Sequence, residues 1–251
     1  MEQVLTQPTT KSYHRLNVYD YVNEFCGWPA FYELNKYAKN PTQERYLLGL
    51  EKTGGRAGEV LALDTANFDL DKRKKIFTIT GMRLEKRFTT IKQADGSKTR
   101  QHVEAIRKPF PIPLKEPLSR ELGESLLECE GPLFQSPYKK GKPLTVVWGY
   151  QIIRQIDKEL PPTLKTQLGL NQPFRDKTTG QTLADTIHLW QHYFRAERAS
   201  QLRAEYGFNE ADLMEFFGWL DYKTALHYSR IGAAKLAQKM FRGIKQNIST
   251  N

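Results

Sequence analysis

Cysteine is scarce in this chain: Cys26 and Cys129 are its only two among 251 residues, and neither sits in a C-x-x-C pair or a Cys/His cluster. That argues against a disulfide framework and leaves zinc without a ligand set, so both are expected as plain buried or half-buried thiols. Long apolar runs are missing too. No segment approaches the roughly 18 apolar residues of a membrane span, and the first residues lack the apolar stretch of a signal peptide. A soluble, cytoplasmic protein is the expectation. Acidic residues are in deficit, 28 Asp+Glu against 38 Lys+Arg, for a formal charge of +10. Such a balance suits a polyanionic partner, although a ribosomal or membrane-surface protein would share it.

What is present falls into a mostly helical pattern. Residues 1 to about 11 are polar and read as a frayed tail. Aromatics crowd the stretch from Tyr13 to Ala38, which predicts one or two short helices broken at Gly27-Trp28-Pro29. Asn40-Pro41 supplies an N-cap and a proline at the first helical position, opening a helix that Thr53-Gly54-Gly55 stops. A further helix starts near Arg56. Ile76 to Thr80 alternates and is β-branched, hence a strand, and a second strand is expected between Val103 and Pro113. The basic connection between them contains the turn signal Asp95-Gly96, which predicts a β-hairpin with an extended positive arm. Helices are expected over residues 116 to 130, Val146 to Leu160 (ending at Pro161-Pro162), Trp190 to Ala204, Glu210 to Phe217, Tyr222 to Tyr228 and Ala233 to Lys245. Residues 131 to 145 and 171 to 182 read as loops. The predicted class is α+β, mainly α-helical, with one small antiparallel sheet.

Chemistry concentrates in two stretches. Arg56 follows a Gly-Gly turn at a helix start, where backbone N–H groups also favour an anion, and Glu59 lies one helical turn on, able to orient its guanidinium. His192 and Arg195 are i,i+3 on one face; Trp219 follows Gly218, and Tyr228 comes nine residues later. Breaking a phosphodiester requires charge on two nonbridging oxygens to be neutralised, an in-line nucleophile and a proton for the leaving oxygen. Two arginines suit the first task because each offers a planar fork of donors that stays charged. His192 can donate to a phosphate oxygen or relay a proton. Trp219 can only donate, and a core role would fit it equally. Tyr228 is the candidate nucleophile and Tyr222 its nearest rival.

Taken in order, Thr53-Gly-Gly-Arg56-Ala-Gly-Glu59, His192-Tyr-Phe-Arg195, Gly218-Trp219 and Tyr228 resemble the catalytic domain of the tyrosine recombinases, the phage-type integrases. The wording HYFRAERASQL is similar to archaeal integrase-like sequences. The resemblance implies cleavage and rejoining of DNA through a 3′-phosphotyrosyl intermediate, with Arg56, His192, Arg195 and Trp219 around the phosphate, Glu59 in support and Tyr228 attacking. It also implies a general-acid lysine in the sheet hairpin: Lys86 first, then Lys92 and Lys98. Arg83, Arg87, Lys92, Lys98 and Arg100 are expected to meet DNA. Neither metal nor other cofactor is implied, and the partners would be double-stranded DNA and further copies of the chain, as dimer or tetramer, in a nucleoid-associated setting. Residues 1–40 are expected as a short N-terminal segment without a full core-binding domain, and 41–251 as the catalytic domain. Two rival readings stand beside this one: a type IB topoisomerase-like enzyme that relaxes DNA, and a non-catalytic DNA-binding protein with the same fold.

Overall fold

The computed structural model describes residues 25–84, 88–93, 95–136, 139–171, 174–175, 182–184 and 187–228. Two helices run through its centre. α2 (Pro41–Thr53) starts as its sequence predicts: the Asn40 side chain accepts from the Gln43 backbone N–H at 3.0 Å, and Pro41 takes a position whose N–H would be unpaired anyway. It ends on Gly54 in the left-handed region (φ 55°), whose N–H closes the last turn on Leu50. Almost every residue of α2 from Gln43 to Thr53 is buried, so this helix is enclosed on all sides rather than amphipathic. α7 (Gln191–Tyr206) is similarly enclosed from Gln191 to Leu202, ends on left-handed Gly207, and packs against α2.

Around this pair lie α1 (Trp28–Asn35), α3 (Ala57–Leu61), α4 (Ser119–Leu127), α5 (Val146–Glu159), α6 (Pro162–Gln167), α8 (Glu210–Phe217) and α9 (Tyr222–Tyr228). α1 begins at the predicted Gly27-Trp28-Pro29 break. It joins the same core, with Phe31 stacked on Phe25 and tilted against Phe194 of α7, while the Cys26 N–H donates to Glu197 at 2.9 Å. Both cysteines are free and half-buried. α6 was not expected. Pro161-Pro162 does end α5, but Pro161 also serves as the N-cap of α6 and Pro162 as its first residue, so one dipeptide stops a helix and starts another.

The sheet is three-stranded and antiparallel. β2 (Ile76–Ile79) lies between β1 (Phe68–Asp71) and β5 (Phe110–Pro113), with Phe77 opposite Leu70 on one side and Ile112 on the other. The second predicted strand is shorter than expected, because residues 103–109 do not pair as a continuous strand and Pro111 and Pro113 confine the strand to an edge. The basic arm does form. β3 (Phe88–Lys92) and β4 (Lys98–His102) pair as a separate two-stranded ribbon around the Asp95-Gly96 turn, which the Asp95 carboxylate closes on the Ser97 N–H. Two stretches expected as loops carry short ribbons instead: β6 (Gln135–Ser136) with β7 (Lys139–Pro143), and β8 (Phe174–Arg175) with β9 (Thr182–Ala184). Each is irregular in register, and short bulged pairs of this kind leave little periodicity in sequence. The helix expected over 233–245 lies outside the described residues. Among those residues no helix is long and apolar enough to cross a membrane.

Candidate active site

The site begins at the turn between α2 and α3. The Thr53 hydroxyl accepts from the Gly55 N–H at 2.9 Å and donates to the Gly49 carbonyl at 2.6 Å, folding the chain tightly after α2. Gly54 must be glycine: its backbone is left-handed, and a Cβ there would lie 2.5 Å from Cε1 of Phe217. The turn delivers Arg56 to the N-cap of α3. Glu59 then folds back, accepting from the Arg56 backbone N–H at 2.9 Å with one oxygen and from Arg56 Nη1 at 2.7 Å with the other.

Glu59 serves a second arginine as well. Arg195 Nη1 lies 3.5 Å from Glu59 Oε2 and donates to the Gly54 carbonyl at 2.7 Å. One buried carboxylate therefore holds two guanidinium groups, one from each end of the chain. Burial alone would push the Glu59 carboxyl up; the charges of Arg195 and Arg56 and the hydrogen bonds from Arg56 outweigh it and hold the group below the usual carboxylate range. The Arg195 side chain is only 1% exposed and that of Arg56 is 22% exposed, so Arg56 is the more open to an incoming anion.

Three aromatic rings complete the arrangement. Trp219 is stacked between Phe217, at 4.4 Å between centroids, and Tyr228, at 4.5 Å. The Arg195 guanidinium lies over the faces of Phe217 and Trp219, at 4.9 and 5.4 Å. Gly218, left-handed at φ 65°, ends α8 and turns Trp219 back onto that helix. Asp221 then accepts from the Lys223 N–H at 2.9 Å, starting α9 as a cap should. Tyr228 is 8% exposed, whereas its rival Tyr222 is 53% exposed and has no place in this stack.

A continuous path of contacts thus runs from Arg56 through Glu59, Arg195 and Trp219 to Tyr228. His192, half-buried, lies in the first turn of α7, one turn before Arg195. The hairpin candidates are more scattered. Lys86 and Arg87 lie outside the described residues. Exposed Arg83 pairs with Ile106 in an isolated bridge, Lys92 and exposed Lys98 face each other at the far end of the ribbon, and Arg100 stands opposite Thr90 within it.

The sequence reading passed over several buried cations. Arg107 is enclosed: Nη1 donates to the Thr53 carbonyl at 2.8 Å, Nε donates to the Phe216 carbonyl, and the guanidinium lies 3.7 Å from the centroid of Phe110. Burial pushes its pKa well below the usual arginine range, and Arg195 pushes the same way against Glu59. Since a guanidinium stays protonated, this direction expresses the cost of holding the charge there. Behind the site, Glu116 pairs with both Arg198 and Lys52, the latter at 3.1 Å. Only the i,i+3 spacing of Arg195 and Arg198 on α7 hinted at this cluster. Beside the first turn of α7, a cavity of about 440 Å³ is lined by Tyr150, Arg154, Lys158 and His188, whose Nδ1 meets Asp157 at 2.8 Å. Among the described residues no group of three His, Cys, Asp or Glu could hold a metal ion.

No family model and no curated protein matches the chain. Solved structures do. The XerH site-specific recombinase, in a post-cleavage complex with a palindromic difH substrate, superposes with a TM-score of 0.51 at 16% identity over 84% of this chain and 49% of its own. The XerA recombinase gives 0.50 at 15% identity over 86% of this chain and 64% of its own. The chain therefore spans about half of the length of the first of these structures and less than two thirds of the second, and at such identity the likeness is one of architecture. It establishes that the chain has the α+β fold of a tyrosine recombinase catalytic domain.

Proposed function

We propose that the chain is a DNA strand-cleaving and rejoining enzyme acting as a site-specific recombinase or integrase, with residues 41–251 as its catalytic region. One observation carries the reading: a single buried carboxylate joins Arg56 to Arg195, and Arg195 lies against the Trp219–Tyr228 stack. Two fixed guanidinium groups can neutralise the nonbridging oxygens as charge builds on phosphorus, and Glu59 keeps them in place without reorganisation. The Tyr228 hydroxyl gives up its proton to solvent water as its oxygen attacks the scissile phosphate in line, forming a 3′-phosphotyrosyl bond as the bond to the 5′-oxygen breaks. His192 and Trp219 donate to the same phosphate, and Lys86 protonates the departing 5′-oxygen. Rejoining is the reverse, so the energy of the broken bond is kept in the phosphotyrosine.

Access is the main constraint on this reading. A ring that is 8% exposed must leave its stack to reach a phosphate, so attack couples to a rearrangement of α9 on DNA. The +10 charge and the basic ribbon fit a polyanionic duplex, which copies of the chain would engage as a dimer or tetramer. The test is covalent trapping on a suicide duplex that carries the chain's own recombination site, read on a denaturing gel. Tyr228→Phe should abolish the adduct while leaving noncovalent affinity nearly unchanged, and peptide mapping of the wild-type adduct should return Tyr228. An adduct that persists in this variant and maps to Tyr222 would overturn the assignment. DNA relaxation without recombinant product would move the enzyme to the topoisomerase class, and binding without any adduct would leave a DNA-binding protein.

A further inference from the structure

We propose that Arg107 is a positioning residue for this site, tying the turn that carries Arg56 to the helix end that carries Trp219. The inference rests on the reading given under Proposed function and adds to it a residue that never meets DNA. Its guanidinium spans two segments. On one side Nη1 binds the Thr53 carbonyl at 2.8 Å, one residue before the Gly54 carbonyl that receives Arg195. On the other, Nε binds the Phe216 carbonyl, one residue before the ring that stacks on Trp219. The backbone N–H of Arg107 bonds to Met82 O at 2.8 Å, anchoring the residue to the chain that leaves β2.

Ring contacts make the tie more specific. Phe217 has both arginines near its ring, Arg107 at 5.3 Å and Arg195 at 4.9 Å from the centroid. Arg107 also lies over Phe110 of β5 and Phe216 of α8, at 3.7 and 4.4 Å. Sheet, catalytic turn and α8 thus meet on one guanidinium. Its neighbours are carbonyls, ring faces and the Met82 sulfur, with no carboxylate in an ion pair to it among the described residues. A buried charge held this way is expensive, and an apolar side chain would fill the space more cheaply. What an apolar side chain cannot do is bond two carbonyls at once or add positive potential behind Arg195. That potential adds to the charge of Arg195 and favours the doubly charged phosphorane of the proposed reaction.

The test compares wild type, Arg107→Lys and Arg107→Met in single-turnover cleavage of a suicide duplex. Two substrates are used: the ordinary phosphodiester, and a methylphosphonate at the scissile position, which lacks one anionic oxygen and needs less from the two arginines. Arg107→Met should bind duplex with affinity close to wild type yet cleave the phosphodiester about 100-fold more slowly, the cost of misplacing a catalytic group by about 1 Å. Most of that gap should close on the methylphosphonate, and Arg107→Lys should fall between the two. An equal loss on both substrates, or a rate that falls only in step with binding, would reduce Arg107 to a core residue and overturn the proposal. Amide hydrogen exchange gives an independent reading: in either variant the segments 53–56 and 216–219 should exchange faster together while α5 is unchanged. If neither segment responds, the tie does not exist. If wild type forms no adduct, the proposed reaction fails, and the exchange data still decide whether Arg107 couples the two segments.

Discussion

Replacing Glu59 by glutamine keeps the side chain's shape and removes the one negative charge between Arg56 and Arg195. Taking one partner out of a buried ion pair costs about 3–5 kcal/mol. The lower end applies, since Arg56 is 22% exposed and can regain water while Arg195, at 1%, cannot. A loss of about 3 kcal/mol lowers the melting temperature of a chain this size by roughly 6–12 °C. The pH dependence identifies the cause. Because the folded Glu59 carboxyl is held below its ordinary value, its stabilisation is fully present above the unfolded carboxylate value, about 4.3, and is lost as pH falls towards the folded value. Urea unfolding of wild type and Glu59→Gln at pH 7, 5 and 3.5 should therefore show a large gap at the first two values. The gap should narrow at the last, by up to about 1.4 kcal/mol for each pH unit below the unfolded value. A gap of the same size at all three would show that the variant acts through packing and that the carboxylate does not bind the arginines as described.

Gly54→Ala should destabilise by about 2–4 kcal/mol, from about 1–2 for the left-handed backbone plus overpacking against Phe217; an unchanged urea midpoint would refute the tight turn. Glu51, whose carboxyl burial pushes to about 8 against the pull of Lys52, binds a proton on folding between pH 4.3 and 8, so wild-type stability should fall as pH rises through that window. Glu51→Gln has no such proton to lose and should gain on wild type between pH 5 and pH 8, whereas parallel pH profiles would contradict the shift. Lys86→Ala should slow cleavage of an ordinary phosphodiester by roughly 10²- to 10⁴-fold and recover on a substrate with sulfur at the 5′-bridging position. If only Lys92→Ala is rescued by sulfur, the acid is Lys92.

What the sequence made legible was whatever local chemistry determines. Asn40-Pro41 and Gly54 bound α2 because capping and left-handed backbone depend on a few adjacent residues. Asp95-Gly96 places the ribbon turn for the same reason, and the Arg56–Glu59 pair follows from the three-residue step of a capping box, in which an N3 carboxylate folds back on the N-cap residue. Contacts decided by distant partners stayed hidden. In Ile106-Arg107-Lys108-Pro109 the arginine looks no different from its exposed neighbour Lys108, and only the meeting of Thr53, Phe110 and Phe216 around it shows which basic residue is enclosed. The second role of Glu59 was equally invisible, because no local pattern connects it to Arg195. Edge ribbons such as β6–β7 escaped because a bulged pair, with proline at one end and glycine between, has neither alternation nor β-branched content.

The Gly54 carbonyl and the guanidinium it receives are 141 residues apart in the chain. During synthesis, at roughly 5–20 residues per second, the turn waits about 7–28 seconds for Arg195 to be made. Over that interval Glu59 can hold only its local arginine, and the stack on Trp219 does not yet exist. Whatever this constellation does to a phosphodiester, a half-made chain has only one of its two arginines. The same separation makes closure of the site a late and slow event in folding, since long loops must be ordered before any of its contacts stabilise them. Assembly from opposite ends of the chain therefore brings the two arginines onto one carboxylate only after most of the fold has been made.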